Sequence, residues 1–156
     1  MERMVRFLAP ATLTLAPALL TAAAPLPTGT LTLRVWNVRN SAGEVHVNLC
    51  PHDQFLKPDC PYRGISPAHE GVTIVTVSGL PAGRYAAQVF HDENRNNKVD
   101  RLFGKLPKEG LAFSNDAFKR LAAPTWEDAQ FVFPGGAQTI QLKMRYLLGA
   151  SGPSKR

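Results

Sequence analysis

Apolar and polar residues alternate in several separate stretches of the chain, and a period of two marks strands with one buried face. Residues 30–37 place Leu31, Leu33 and Val35 on one side and Thr32, Arg34 and Trp36 on the other, and residues 44–50 turn Val45, Val47 and Leu49 inward. Asn40-Ser41-Ala42-Gly43 between them has turn chemistry, so the pattern predicts a hairpin. Residues 71–78 are rich in Val, Ile and Thr, and residues 84–91 align Tyr85, Ala87 and Val89; Gly79-Leu80-Pro81-Ala82-Gly83 joins the two as a tight turn. Residues 128–133 and 138–146 alternate again, and predict a closing hairpin across Pro134-Gly135-Gly136. The period is lost in 51–69, which holds Pro51, Pro58, Pro61 and Pro67 and reads as a loop. It is lost again in 92–127, where 116–121 would allow about a turn of helix. Turns every ~8–12 residues predict an all-β chain: a single β-sandwich of about seven antiparallel strands with one long irregular loop region. The sandwich would occupy residues 30–148, after a linker at 24–29 and before a frayed, disordered tail at 149–156.

The N-terminus changes the picture of location. Arg3 and Arg6 precede an apolar run over 7–20, and small residues follow at 21–24, the layout of a secretory signal peptide. Cleavage after Ala23, or else Ala22, would leave no transmembrane anchor, because the apolar run is shorter than the ~20 residues a bilayer needs. A buried N-terminal helix or a retained anchor would share the pattern. Export makes the cysteine count informative. Cys50 and Cys60 are the only two, and in an oxidising compartment such a pair is most simply a disulfide. Metal or redox use would ask for a tighter spacing or more ligands than His46, His52, His69 and His91 provide.

The whole chain carries a net charge of +6; removing 1–23 leaves 16 basic and 11 acidic side chains. They read as scattered, without the basic stripe or interleaved aromatics of a nucleic-acid site. A solvated basic surface is one reading, and a weak preference for anionic surfaces or glycans the other. Nucleic acid is not an expected partner, and a monomer is expected.

Candidate chemistry concentrates in the loop at 92–100. Asp92, Asn94, Asn96 and Asp100 alternate, and the Lys98 carbonyl falls where calcium loops use a main-chain oxygen. Calcium takes roughly six to eight hard oxygens, which a coiled loop supplies from alternate residues. Asn97 stands where such a loop turns sharply, and left-handed backbone is open to Asn. Against the metal, Phe103 occupies the place of a bidentate carboxylate and Arg95 puts a cation in the loop. Glu109, Asn115 or Asp116 would have to complete the set. The alternative is a metal-free turn whose Asn and Asp side chains bond their own backbone.

The stretch VFHDENRNNKVDRLFGKLPKEGLAFSNDA, followed by Pro124-Thr125-Trp126-Glu127-Asp128-Ala129 and preceded by the turn GLPAGRY, resembles the DUF2141 family of uncharacterised secreted bacterial proteins. Members show a segment close to VFHDENGNGKLD, then PKEG…FSN, then an F-x-D-A-like start to a late strand. The likeness spans roughly residues 31–146, and departs from the pattern at Arg95 and Asn97, where the family has glycines. It implies export and a prealbumin-like or immunoglobulin-like sandwich, and the GLPAGRY turn by itself resembles those of prealbumin-like and fibronectin-like modules, which implies Tyr85 packed inside near it. It implies no reaction.

The expected function is therefore a periplasmic or secreted, non-enzymatic binding or accessory module. His91, Glu109 and Asn115 are its candidate binding residues, and an unknown cell-envelope or extracellular ligand its partner. One alternative is an envelope glycan- or peptide-acting enzyme using His91 and nearby carboxylates, though no nucleophile elbow, HExxH or phosphate loop is present. The other is a calcium-clipped structural spacer.

Overall fold

The computed structural model describes residues 24–119 and 122–154; the predicted signal segment lies outside the described residues, as does the end of the predicted helical turn at 116–121. The chain is mostly β. Strands β1 (Thr28–Val38), β2 (Glu44–Cys50), β3 (Tyr62–Pro67), β4 (Gly71–Pro81) and β5 (Gly83–Asp92) follow one another. After them come β6 (Arg101–Leu102), β7 (Leu106–Pro107), β8 (Gly110–Phe113), a one-turn helix α1 (Trp126–Ala129), β9 (Gln130–Phe133) and β10 (Gly136–Lys143). One sheet has the order β10-β1-β4; the other runs β3-β2-β5-β8, with β9 also bonded to β5; β6 and β7 form a small ribbon of their own.

Neither predicted hairpin forms. β1 bonds β4 on one side and β10 on the other, whereas β2 bonds β3 and β5. β9 likewise bonds β5, while β10 joins β1, and that β1 pairing is parallel rather than antiparallel. The physical reason is shared. Alternation says only that one face of a strand is buried, and turn residues say only that the chain reverses. Here the connections 39–43, 79–83 and 134–136 carry the chain from one sheet to the other. Left-handed glycines help the first two change direction (Gly43 at φ 70°, Gly79 at φ 69°), and Gly135 (φ 89°) with Gly136 (φ 73°) serves the third.

The segment 51–69 is a loop only in its first half, and β3 is its correction. Its pattern was hidden because the inward position is Gly64, while Ile65 points outward. A Cβ on Gly64 would lie 2.8 Å from Val75 Cγ1, so the missing side chain lets β3 lie close against β4. The Cys50–Cys60 disulfide forms as expected and closes the loop leading into β3.

Leu31, Leu33, Val35, Val75, Val77 and Leu142 from the first sheet share one buried cluster with Val45, Val47, Leu49, Val89 and Phe133 from the second. Each such side chain contributes roughly 1.5–3 kcal/mol on burial. Tyr85 joins them, only 6% exposed, and its hydroxyl donates to the Pro81 carbonyl at 3.0 Å across the 79–83 turn. The segment beyond Lys143 is tied back through Ser154: Asn37 donates to the carbonyls of Met144 and Ser151, and Ser154 donates to Glu70.

Candidate functional site

β5 lies in the middle of its sheet, with β2 on one side and β9 followed by β8 on the other. Its last residues, His91 and Asp92, are fully buried. Beyond them the chain leaves the sheet and returns at Gly110, which sits opposite His91 in the β5–β8 register. Residues 93–109 are therefore an excursion pinned at its base by a strand pair, with β6 and β7 as its small stem.

His91 is consumed by structure. Its Nε2 lies 2.7 Å from the Ala42 carbonyl, which can only accept, so Nε2 carries the proton. Nδ1 then takes the Tyr146 hydroxyl proton at 2.8 Å, and that hydroxyl oxygen accepts the Arg39 amide at 3.1 Å. Burial lowers the His91 pKa and pushes Tyr146 up to about 12. Around them Arg39 stacks over the Tyr146 ring and forks onto the Glu93 carboxylate, which Asn40 also meets at 2.7 Å. The bond from Arg39 holds Glu93 below the usual carboxylate range. Arg39, Asn40, Ala42, Glu93 and Lys108 line an open cleft of about 530 Å³ at the base of the excursion.

Asp92 organises the loop itself. Its Oδ1 accepts the Asn96 amide at 3.0 Å and its Oδ2 the Asn97 amide at 2.6 Å. Asn94 Oδ1 takes the Asn96 amide and Asn96 Oδ1 the Lys98 amide, a succession of Asx turns. The side-chain amides of Asn94 and Asn96 both donate to Asp100 Oδ2. Those two bonds, Asn96 first, hold the Asp100 carboxyl below its ordinary value. Glu109, buried at the far end, accepts the Asp100 amide through Oε2 at 3.2 Å, and the Lys108 amide donates to the Asp100 carbonyl. Burial, reinforced by the carboxylates of Asp92 and Asp100, raises the Glu109 pKa. Asn97 adopts the left-handed backbone its position predicts (φ 61°), and so does Arg95 (φ 59°). The two departures from the family pattern are thus the positions where glycine would be least strained.

Of the sequence candidates, Asp92, Asn94, Asn96, Lys98, Asp100 and Glu109 share the excursion, with His91 beneath it. Asn115 does not join them. It lies past the other end of β8, where its side chain donates to the carbonyls of Asp128 and Gln130, and Asp116 beside it pairs with Arg145. For calcium the loop as folded is a poor fit: its oxygens are spent on its own amides. Among the described residues no group of three or more His, Cys, Asp or Glu is arranged to hold a metal ion.

Sequence reasoning missed Arg39, Tyr146 and His46. Arg39 and Tyr146 come from connections more than fifty residues from His91 and Glu93, beyond any local pattern. His46 stacks on Phe90, with its buried Nε2 unpaired at 3.5 Å from Glu44 and 3.6 Å from Asp92. It lies on the face of β2 opposite Val45 and Val47, covered by Phe90, so the alternation of β2 gave no sign of its burial.

A family model described as an uncharacterised protein conserved in bacteria (DUF2141) matches residues 33–141. The chain belongs to the DUF2141 family. That match runs from within β1 to within β10 and so includes both sheets and the whole excursion. No curated protein and no solved structure matches the chain. A disulfide in a bacterial family suggests an oxidising, extracytoplasmic compartment. No helix among the described residues is long and apolar enough to cross a membrane.

Proposed function

We propose that this DUF2141 member is a non-enzymatic binding module of the periplasm or the extracellular space, with the excursion 93–109 and the cleft at its base as its binding end. The observation that carries the reading is the excursion's internal bonding. Asp92 and Glu109 hold its backbone from inside, which leaves Arg95, Lys98, Arg101, Phe103, Lys105 and Lys108 exposed on a rigid base. Loops of this kind, set on ordered sheets, are where proteins place recognition. The scaffold reads as a prealbumin-like or immunoglobulin-like sandwich, because two sheets share one core and Tyr85 closes its turn as tyrosine corners do. The state of His91 supports a role without turnover: both ring nitrogens are engaged and the ring is fully buried, so it offers no lone pair to a substrate.

The test is an excision. A short Gly-Ser turn joining Asp92 to Gly110 should keep the near-ultraviolet circular dichroism of the parent but lose its retention on isolated cell envelopes. Unchanged retention would remove the excursion from function. Hydrolysis of peptidoglycan or envelope peptides by the parent, abolished in a folded His91→Gln or Glu109→Gln variant, would establish the enzyme instead. A calcium-clipped spacer is the second reading, favoured by the alternation of Asp92, Asn94, Asn96 and Asp100 along the loop. It requires the Asn94 and Asn96 amides to turn their oxygens inward. It predicts a Tm that rises with millimolar calcium and falls with EDTA, and an Asp100→Ala variant insensitive to both.

A further inference from the structure

The tip of the excursion combines an exposed apolar ring with a run of basic side chains. Phe103 is 89% exposed, the most exposed of the large hydrophobic side chains, and Leu106 beside it is 41% exposed. Residues 95–108 also hold five basic side chains (Arg95, Lys98, Arg101, Lys105 and Lys108) against the single acid Asp100. Beyond residue 23 the rest of the chain carries 11 basic and 10 acidic residues, so residues 95–108 hold four of the five net positive charges, with the acids Glu93 and Glu109 flanking them. Four of the net charges thus fall in the same short segment as an exposed aromatic ring.

The tip is also held in shape. Phe103 has a left-handed backbone (φ 51°) and Gly104 follows at φ 68°. Lys105 donates its amide to the Leu102 carbonyl, and Arg101 Nη1 donates to the Lys105 carbonyl at 3.2 Å. Left-handed backbone is costly for a bulky aromatic, so the structure holds the ring outward against its local preference. A lone exposed ring on a neutral surface would suit a protein pocket. A segment that carries such a ring among exposed Lys98, Arg101, Lys105 and Lys108, with Asp100 as its one acid, suits a surface that is anionic, extended and apolar just beneath its charge.

We propose that the tip 101–107 docks on anionic phospholipid bilayers, with Phe103 and Leu106 entering the headgroup boundary and Lys98, Arg101, Lys105 and Lys108 meeting lipid phosphates. This rests on the binding-module reading and names its partner. Each Lys or Arg near such a surface strengthens binding severalfold, and an inserted aromatic ring adds to that.

The test uses protein recovered from an extracytoplasmic fraction, in the processed form the cell delivers. It is sedimented with vesicles of pure phosphatidylcholine or of equimolar phosphatidylcholine and phosphatidylglycerol. Binding should be at least about tenfold tighter on the anionic vesicles and should weaken with salt. Phe103→Ser should weaken it by about tenfold, and the triple change of Lys98, Lys105 and Lys108 to Gln by on the order of a hundredfold. Phe103→Trp should retain binding and shift its emission to the blue on anionic vesicles alone. All four sites are exposed, so each variant should melt as the parent does. Equal binding to both vesicles, or full binding by Phe103→Ser, would overturn the proposal. Retention on isolated envelopes that depends on the excursion, without affinity for either vesicle, would also overturn it; the module would then stand with a protein or glycan as its partner.

Discussion

At the scale of single residues, three positions carry consequences that can be measured. Arg95 and Asn97 both adopt left-handed backbone, yet they are not equivalent. Asn tolerates that region because its short side chain bonds locally, whereas Arg has no such relief. The Arg95 side chain is mostly exposed and only 3.9 Å from Glu44, a contact worth little. Arg95→Gly should therefore raise stability by about 0.5–1 kcal/mol, and Asn97→Gly by less, in urea titrations; the reverse order would mean that strain does not govern the loop. His91 makes a pH prediction. Its pKa is lower folded than unfolded, so the unfolded chain takes the proton first. The stability it contributes is full above its ordinary value of 6.5 and is lost as pH falls through its folded value. Glu93 acts in the same direction further down, full above 4.5 and lost as pH falls through its lowered value. Glu109 is raised and opposes them, so it gains stability as pH falls toward 4.5. Between neutrality and about pH 5 the His91 contribution should dominate, and the unfolding free energy should decline. His91→Gln keeps an N–H for the Ala42 carbonyl but does not titrate, and should flatten that slope even if it is less stable throughout. A slope equal to the parent's would assign the decline to other groups.

At the scale of elements, what was legible followed from periodicity and turn chemistry, and what was hidden followed from partners remote in sequence. β1, β2, β4 and β5 show their apolar faces directly, and their inward residues are those that alternation selects. The two hairpins failed because strand pairing depends on which sheet offers a free edge, a property no local stretch contains. β3 was concealed by Gly64, a missing side chain where the pattern needs an apolar one. Within the site, the loop's Asx turns were readable from the spacing of Asp92, Asn94 and Asn96, since each bond spans only two to five residues. Arg39 and Tyr146 were not, because they reach His91 and Glu93 from connections far away in sequence. β3 gives the element-scale prediction. It is an outer strand with a prolyl end, held by β2, by its approach to β4 and by the disulfide before it. Reducing the disulfide should cost about 2.5–3 kcal/mol by releasing a short closed loop in the unfolded chain. Gly64→Val should cost about 1–3 kcal/mol by forcing β3 off β4. If the two couple through the seating of β3, the reduced Gly64→Val variant will depart from the sum of the two effects by more than about 0.5 kcal/mol. Simple additivity would mean that the disulfide acts on the unfolded chain alone.

At the scale of the whole molecule, the pairing of β1 with β10 decides how the chain holds together. These are the first and last strands described, and eight consecutive residues of each, from Gly29 to Trp36 and from Gly136 to Lys143, lie in parallel register. Among the described residues β10 bonds no other strand, yet its Leu142 and the Met144 that follows it are buried in the shared core, and Tyr146 closes on His91 in the opposite sheet. The end of the described chain therefore links both sheets. β10 cannot leave without opening the core on one side and stripping His91 of its hydroxyl donor on the other. Fraying of an edge strand is ordinarily a local event with its own low free energy. Here it should not be. In native-state hydrogen exchange, amides of β10 bonded to β1 should open with the same free energy and denaturant dependence as those of β5 in the middle of the other sheet. Tyr146→Phe should uncouple them: with Nδ1 of His91 left unpaired, a loss of about 1–3 kcal/mol is expected, and β10 should begin to exchange through a cheaper local opening. If β10 already exchanges locally in the parent protein, neither the Tyr146 hydroxyl nor the backbone bridge between Arg145 and Leu111 couples it to the other sheet, and the polar network around His91 serves only to seat the excursion.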